Sequence, residues 1–460
     1  MNIYEKMYEK KYLNRVIHTT LNPKNPGVVR LHLVPSKFSL FKNNPSIVIL
    51  NGKDIIPLNP AWTILLSIFI DEVNRYKGKE ISEKELEEIS DITLHRMKKI
   101  YHFVKKEVFK NDLLNMIDLF VAISNKEKID VDLGQISINS FAKFMRAPHR
   151  MDLMISSMQK DKHWNCNQQC IHCYAANQEY AETKELSTDE WKKVIDICKK
   201  NCIPQITFTG GEPTLREDLV ELVEYSEWFV TRLNTNGALL TKKLCDRLYN
   251  ASLDSIQITL YSNIPEIHNE LVGVNNFDKT VQGIKNAISS KLNVSINTPL
   301  CTLNKNYVDT LKFAKELGVT YASSSGIITT GNAKNIKSKL TKLNKREITS
   351  IMKKACQYAE QEKMELSFTS PGWIDENELR KMKLDIPSCG ACLSNMAISP
   401  DGNVMPCQSW LGKDASLGNI LKKDWEKIWN SRRCKQIRYN SAKISNICPL
   451  REGGGRNEKK

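Results

Sequence analysis

Between residues 150 and 335, short apolar runs alternate with helical patterns six times. The runs are 152–158 (DLMISSM), 205–209 (QITFT), 229–235 (FVTRLNT), 255–261 (SIQITLY), 293–299 (NVSINTP) and 320–326 (TYASSSG). Amphipathic stretches such as TDEWKKVIDICKKN and FDKTVQGIKNAISSKL separate them. A strand can rejoin its neighbour in the same direction only through a crossover, so this alternation specifies a parallel sheet covered by helices. Six such units imply an α/β fold with the sheet closed or half-closed into a barrel. In a barrel of this kind the chemistry sits at the C-terminal ends of the strands.

The stretch after the first run, WNCNQQCIHCYA, places Cys166, Cys170 and Cys173 in one short loop at that rim. A structural zinc site or a fully ligated iron–sulfur cluster takes four protein ligands. Three thiolates on a [4Fe–4S] cube would leave one iron open to a small molecule. The second run leads into Gly210-Gly211-Glu212-Pro213 and the third into Thr235-Asn236-Gly237, so both point to the same rim.

This order of motifs over residues 150–335 resembles the radical S-adenosylmethionine (radical SAM) superfamily and its partial (β/α)6 barrel. The resemblance implies a [4Fe–4S] cluster on Cys166, Cys170 and Cys173, with S-adenosyl-L-methionine (SAM) chelating the open iron. It further implies one-electron cleavage of SAM to a 5′-deoxyadenosyl radical that abstracts hydrogen, with electrons from a low-potential donor such as flavodoxin or ferredoxin. Carried over residue by residue, Tyr174 follows the third cysteine, and Gly210, Gly211, Glu212 and Pro213 meet the amino end of SAM. Thr259 stands where the family often has a hydroxyl near the ribose or carboxylate. Asn236 is a rim residue or a turn former. Gly326-Ile327 and Gly331 correspond to the loop beside the adenine. One position departs: relatives often carry an arginine four residues after a histidine here, and this chain has His268 followed by Val272. Cys301, at the end of the fifth run, is either a hydrogen donor to a substrate radical or a buried thiol.

A second cysteine group, Cys389, Cys392, Cys407 and Cys448, is set among PDGNVMPC, LGNI and IWNS. These residues, within 387–460, resemble the SPASM/twitch extension of radical SAM enzymes. The resemblance implies one auxiliary [4Fe–4S] cluster, with Cys434 competing with Cys448 for the fourth place and zinc as the alternative metal. Residues 336–386 read as a lysine-rich helical connector.

Residues 1–125 read as a winged-helix-like α+β module. SIVIL and KDIIPL flank Asn51-Gly52, the dipeptide of a two-residue type I′ hairpin. Asn59 and Pro60 begin a helix, and a capping box from Ser82 to Glu85 opens another that runs on through 109. The module resembles the peptide-recognition element of maturases of ribosomally made peptides, which implies a precursor peptide as substrate, with a crosslink, thioether or epimerisation as product. A small molecule or cofactor precursor such as a tetrapyrrole, or a folded protein, is the alternative substrate. The formal charge of +15 is concentrated in residues 421–460, where twelve Lys/Arg face four Asp/Glu. Three aromatics, Trp425, Trp429 and Tyr439, interleave there, too few for a base-stacking surface, so a zinc-stapled nucleic-acid-binding protein is the remote reading. The longest apolar run, 61–70, is half of the roughly 20 residues a membrane-spanning helix takes. The N-terminus carries charges without a secretory h-region, so a cytoplasmic location with thirteen reduced cysteines and no membrane partner is expected.

Overall fold

The computed structural model describes residues 7, 10–13, 15, 17–20, 30–37, 45–52, 54–76, 81–124, 138–335, 341–444 and 446–451. The expected tail beyond 451 and the start of the 336–386 connector lie outside them. The chain divides into two compact units, Met1–Ala147 and Pro148–Lys460.

In the first unit four antiparallel strands run in the order β1 (Ile17–Thr20), β2 (Arg30–Val34), β3 (Ser46–Leu50), β4 (Asp54–Leu58). Asn51 and Gly52 take the left-handed φ values of 49° and 68° that their sequence favours. The pairing of Leu50 with Asp54, however, encloses three residues rather than two. The helix Pro60–Val73 starts where Asn59 accepts from the Trp62 N–H at 2.8 Å. The Ser82–Glu85 capping box is formed in both directions. The helix it opens ends at Ile100, and a second spans Lys106–Ser124, so the single long helix expected here is two. In the turn between them Lys98 Nζ donates to the carbonyls of His102 and Val104 at 2.6 and 2.7 Å. The turn also sends Tyr101 and Phe109 together into the core.

In the second unit all six expected strands form: β5 (Arg150–Ser156), β8 (Gln205–Gly210), β9 (Val230–Thr235), β10 (Ser255–Thr259), β11 (Asn293–Pro299) and β12 (Tyr321–Ser325). A two-stranded hairpin, β6 (Gln159–Lys160) with β7 (His163–Trp164), leads into the cysteine loop. The six strands are parallel neighbours in chain order. The sheet is open, and each edge is extended. Beyond β12 lies β13 (Glu365–Phe368), a parallel strand contributed by the segment expected to be a mostly helical connector. Beyond β5 lies β14 (Asn395–Ile398), also parallel, whose hairpin partner is β15 (Val404–Met405). The turn of that hairpin contains Asp401-Gly402, with Gly402 at φ 86°.

The two faces of the sheet differ. One row, with Ile206, Phe208, Leu233, Ile256, Ile258, Ile296 and Ala322, is fully buried. Helical residues such as Trp191, Leu222, Leu248, Ile284, Leu311 and Met352 complete that apolar layer. The alternate row carries Asn234, Gln257, Ser295 and Asn297, all half-buried, and Tyr321, which is exposed. Parallel sheets are ordinarily apolar and covered on both faces. Here one face is polar and incompletely covered.

Removing the Ser82 hydroxyl takes away one half of its box. Ser82→Ala is expected to cost about 1 kcal/mol locally. Amide exchange across the first turn of the 83–100 helix should accelerate about fivefold, with the second unit unaffected.

Candidate active site

The cysteine loop has almost no secondary structure, so other elements must hold its backbone. Gln169 and Ile171 donate their N–H groups to the carbonyls of Val272 and Leu271 at 2.9 and 3.0 Å. Asn332, beyond β12, donates its N–H to the Cys173 carbonyl at 2.9 Å and its side-chain amide to the Cys170 carbonyl at 3.0 Å. Two glycines make this close approach feasible. At Gly273 (φ 72°) a Cβ would run into the Gln169 carbonyl, and at Gly331 (φ 56°) into the carbonyls of Cys173, Tyr174 and Ala176.

Within this frame the three thiols are half-buried neighbours. Burial pushes the Cys166 thiol up to about 12, with Glu212 and Cys173 nearby adding to the effect. Burial also raises Cys170, and the charges of Cys173 and Cys166 raise it further. Cys173 is raised by burial, against hydrogen bonds from the Ala176 and Ala175 backbone. Thiols in this environment stay protonated until a metal takes the proton's place. Among the described residues, no three His, Cys, Asp or Glu side chains converge closely enough to hold a single ion.

The motif after β8 sits against the end of β5. A Cβ at Gly210 (φ 142°) would collide with the Ser156 backbone, and one at Gly211 with the Ser157 carbonyl. Strand packing therefore already requires both glycines, whereas the sequence suggested ligand approach as the reason. Pro213 is buried at the start of a 3-10 turn. Glu212, 1% exposed, accepts from four donors. They are the Thr214 N–H at 3.0 Å, the Thr214 and Thr235 hydroxyls at 2.6 Å each, and the Asn236 N–H at 2.8 Å. Burial raises its pKa, and these bonds oppose the rise.

Asn236 forms the turn and also reaches the cysteine loop. Its oxygen accepts from the Ala238 N–H at 3.0 Å in a turn, and its amide donates to Asn167, between Cys166 and Cys170, at 2.6 Å. A continuous path thus runs from β8 through Glu212 and Asn236 to the cysteine loop. Thr259 is half-buried at the end of β10. Ile327 is buried in an apolar cluster with Tyr261, Leu271 and Val272, against which Cys170 and Ile171 pack. Cys301 belongs to this cluster and is fully buried, its N–H bound to Asn304 at 2.8 Å. The expected substrate-facing thiol points into packing, as the buried-thiol alternative has it, because Asn304 turns the chain inward after β11. Tyr174 shares a second cluster with Met154, Met158, Ala397 and Met405. Burial raises its hydroxyl, which hydrogen-bonds Thr209 and lies within reach of the charges of both Cys173 and Cys407.

The sequence reading missed His172. It is buried, its Nε2 lies 2.7 Å from the Thr341 hydroxyl, and burial lowers its pKa to about 4, so it is neutral. Its position between Cys170 and Cys173 was the available signal. His268, by contrast, is fully buried with its Nδ1 on the Tyr261 N–H at 3.4 Å, a structural role.

The second cysteine group is anchored by β14 pairing with β5 and by the Cys392 N–H on the Pro406 carbonyl at 3.0 Å. Cys389, Cys407 and Cys448 are half-buried and raise one another's pKa values beyond the effect of burial where a shift is resolved. Cys392 and Cys434 are fully buried and hydrogen-bonded to each other. That bond, with Arg438 at 3.5 Å, lowers the Cys434 pKa. Arg438 also stacks over Trp429 at 3.7 Å. Five thiols therefore gather here, and both Cys448 and Cys434 are within the group.

Residues 165–317 match the family described as the radical SAM superfamily, and residues 389–450 match SPASM, an iron–sulfur cluster-binding domain. The chain carries a radical SAM domain followed by a SPASM domain. These domains bind [4Fe–4S] clusters and SAM, which replaces the zinc reading. The chain is 32% identical over 157 residues to a probable GTP 3′,8-cyclase of Thermococcus kodakarensis, covering 33% of this chain and 51% of that protein. It is 30% identical over 186 residues to the Fe-coproporphyrin III synthase of Methanosarcina barkeri, covering 38% and 46%. It thus spans about half the length of these curated relatives. The fold is similar to Streptococcus suis SuiB, solved with its precursor peptide SuiA, at a TM-score of 0.58 and 17% identity, covering 85% of this chain and 87% of that one. No helix among the described residues is long and apolar enough to cross a membrane.

The thiols fit the groups these domains bind: soft donors, grouped on rigid loops, with backbone N–H groups aimed at sulfur. Glu212→Gln replaces an accepting oxygen with an amide that cannot accept, stranding at least one buried donor. A stability loss of about 1–3 kcal/mol is expected, read as a lower urea midpoint. Iron retained per chain should fall with it.

Proposed function

We propose that this protein is a cytoplasmic radical SAM enzyme that modifies a ribosomally made precursor peptide. The observation that carries the radical chemistry is the stapled loop of three thiols at the C-terminal rim of the sheet, where a cube would have one iron without a protein ligand. When bound, the reduced cluster and SAM supply a 5′-deoxyadenosyl radical able to take hydrogen from an unactivated C–H bond. The chain's own residues position and shield that event. Glu212 and Asn236 fix the rim against the cysteine loop, and Ile327, Val272 and Tyr261 give it an apolar wall that excludes water. A low-potential flavodoxin or ferredoxin is the proposed electron source, and the five thiols of the SPASM site supply at least the four ligands of a closed cluster, one that would carry electrons without binding substrate.

Two observations support a peptide substrate. The likeness to SuiB, a protein solved with a precursor peptide, extends over 85% of this chain. The first unit also has a four-stranded antiparallel sheet with β4 at an edge, where an extended leader can add a strand. The second reading, a small-molecule substrate such as GTP or a tetrapyrrole, is favoured by the sequence relatives.

Dithionite-driven formation of 5′-deoxyadenosine should be lost in Cys166→Ala, Cys170→Ala and Cys173→Ala. Cys407→Ala should retain part of that activity yet form no modified product. Deleting residues 1–147 should abolish any binding of synthetic leader peptides that the intact protein shows. Turnover of GTP or Fe-coproporphyrin III by the intact protein would instead establish the second reading.

A further inference from the structure

Five of the twelve Lys/Arg in residues 421–460 belong to one helix, Arg432–Lys443. Its two faces differ. The inner face carries Cys434, Arg438 and Ser441, all buried and all engaged with the second thiol group. Cys434 is hydrogen-bonded to Cys392, Arg438 donates to Cys434 at 3.5 Å, and the Ser441 hydroxyl donates to Cys389 Sγ at 3.6 Å. The outer face carries Arg432, Gln436, Tyr439 and Lys443 at helical spacing, with Arg433 and Lys435 beside them, and all six are exposed.

Helix stability does not account for this charge. The sequence RRCKQIRYNSAK has no Asp or Glu, so no i,i+4 pair offsets the repulsion among its cations. Arg432 and Arg433 stand in the first turn, where a cation works against the helix macrodipole. Among the described residues, Arg432, Arg433, Lys435 and Lys443 form no ion pair. Asp424 and Glu426 belong to the preceding short helix and its cap, and Asp424 is paired with Lys427 at 3.2 Å. Tyr439, Ile444 and Ile447, each about half exposed, add an apolar patch at the C-terminal end of the stripe, next to Cys448.

Unpaired cations around a small apolar patch suit a protein partner of opposite charge. The position of the face argues for an electron carrier. Only the width of the helix, roughly 10–12 Å, separates a partner on this face from the thiols on the other. Electron-transfer complexes also bury the smallest interfaces, under about 1,200 Å² in total, a scale suited to one helix and its flanks. Single-stranded nucleic acid would call for a row of stacking platforms, and Tyr439 is the one aromatic on this helix.

We propose that an acidic one-electron carrier protein docks on the outer face of helix 432–443 and reduces the auxiliary cluster behind it. The proposal rests on the radical SAM reading above and names the binding site of its electron donor. One electron leaves the reduced carrier and enters the cluster; no bond forms or breaks, and no proton moves. The apolar cluster holding Tyr174 and Trp410 then connects this site to Cys166 and Cys173.

The test uses the full-length protein with its clusters reconstituted, and an acidic flavodoxin as probe. Its affinity, measured by calorimetry, should weaken about tenfold between about 50 and 300 mM salt. At low salt it should weaken about tenfold when Arg432→Gln, Lys435→Gln and Lys443→Gln are combined. That variant should form 5′-deoxyadenosine more slowly than the wild type with reduced flavodoxin, and at the wild-type rate with dithionite. Iron content equal to the wild type shows that it is folded. Cys407→Ala should bind flavodoxin as the wild type does, yet form no 5′-deoxyadenosine with it. Salt-independent binding by the wild type, which needs no variant, overturns the proposal. So does unchanged affinity in the triple variant, or flavodoxin-driven turnover in Cys407→Ala. A triple variant that loses a leader peptide or an oligonucleotide but keeps flavodoxin gives the face to that other partner. A wild-type protein that binds flavodoxin but makes no 5′-deoxyadenosine even with dithionite and SAM sinks the radical reading instead.

Discussion

Everything at the rim depends on main-chain hydrogen bonds that reach the cysteine loop from two sides. A twelve-residue loop with three thiols has no core of its own, so its shape has to be imposed by its neighbours. The carbonyls of Leu271 and Val272 take its N–H groups from one side, and Asn332 takes its carbonyls from the other. Glycine stands at each contact because nothing larger fits between two backbones. Asn236 then adds a side-chain tie through Asn167, which Glu212 holds in place by gripping the Asn236 N–H. Cysteine spacing supplies the donors, and these ties set the geometry in which the donors act.

The same sheet serves both cluster-binding domains. β14 continues the sheet at β5 in parallel, so the SPASM hairpin is hydrogen-bonded into the radical SAM scaffold. The Gln178 amide on the Ser409 carbonyl and the Tyr180 N–H on the Leu411 carbonyl add further ties from the cysteine loop's own continuation. Met154, Met158, Ala397 and Met405 fill the space between, with Tyr174 and Trp410 against them. A shift of either thiol group would have to be accommodated by one shared apolar cluster, which is close-packed and resists it.

What could be read from the sequence was what local pattern determines. Four of the six strands, β5, β8, β10 and β11, carry apolar residues at alternate positions, and the Asn59 and Ser82 caps are set by contacts no more than three residues apart. What could not be read depends on partners distant in the chain. β13 and β14 are four residues each and join the sheet by pairing with β12 and β5, strands distant in the chain. The helix break after Ile100 interrupts an amphipathic pattern that continues through it, and Lys98 bridges the turn by donating to the His102 and Val104 carbonyls. Cys301 has the sequence position of a rim residue, and Asn304, three residues on, draws it into the core. His172 was passed over because the cysteines on either side of it dominate the motif.

Val272 shows how a departure from a family pattern can be absorbed. Where relatives often place an arginine, this chain puts a fully buried valine beside Leu271, Ile327 and Tyr261, with Cys170 packed on the same cluster. Its carbonyl is one of the staples on the cysteine loop. An arginine here would bring an uncompensated guanidinium into that apolar wall whenever no anion was bound, a cost of several kcal/mol. The position has therefore been given over to packing and backbone support. Any cation that meets the carboxylate of SAM has to come from an element other than the 265–272 helix. The loop geometry is meanwhile held by the Val272 carbonyl on the Gln169 N–H, a contact that does not depend on the side chain at 272.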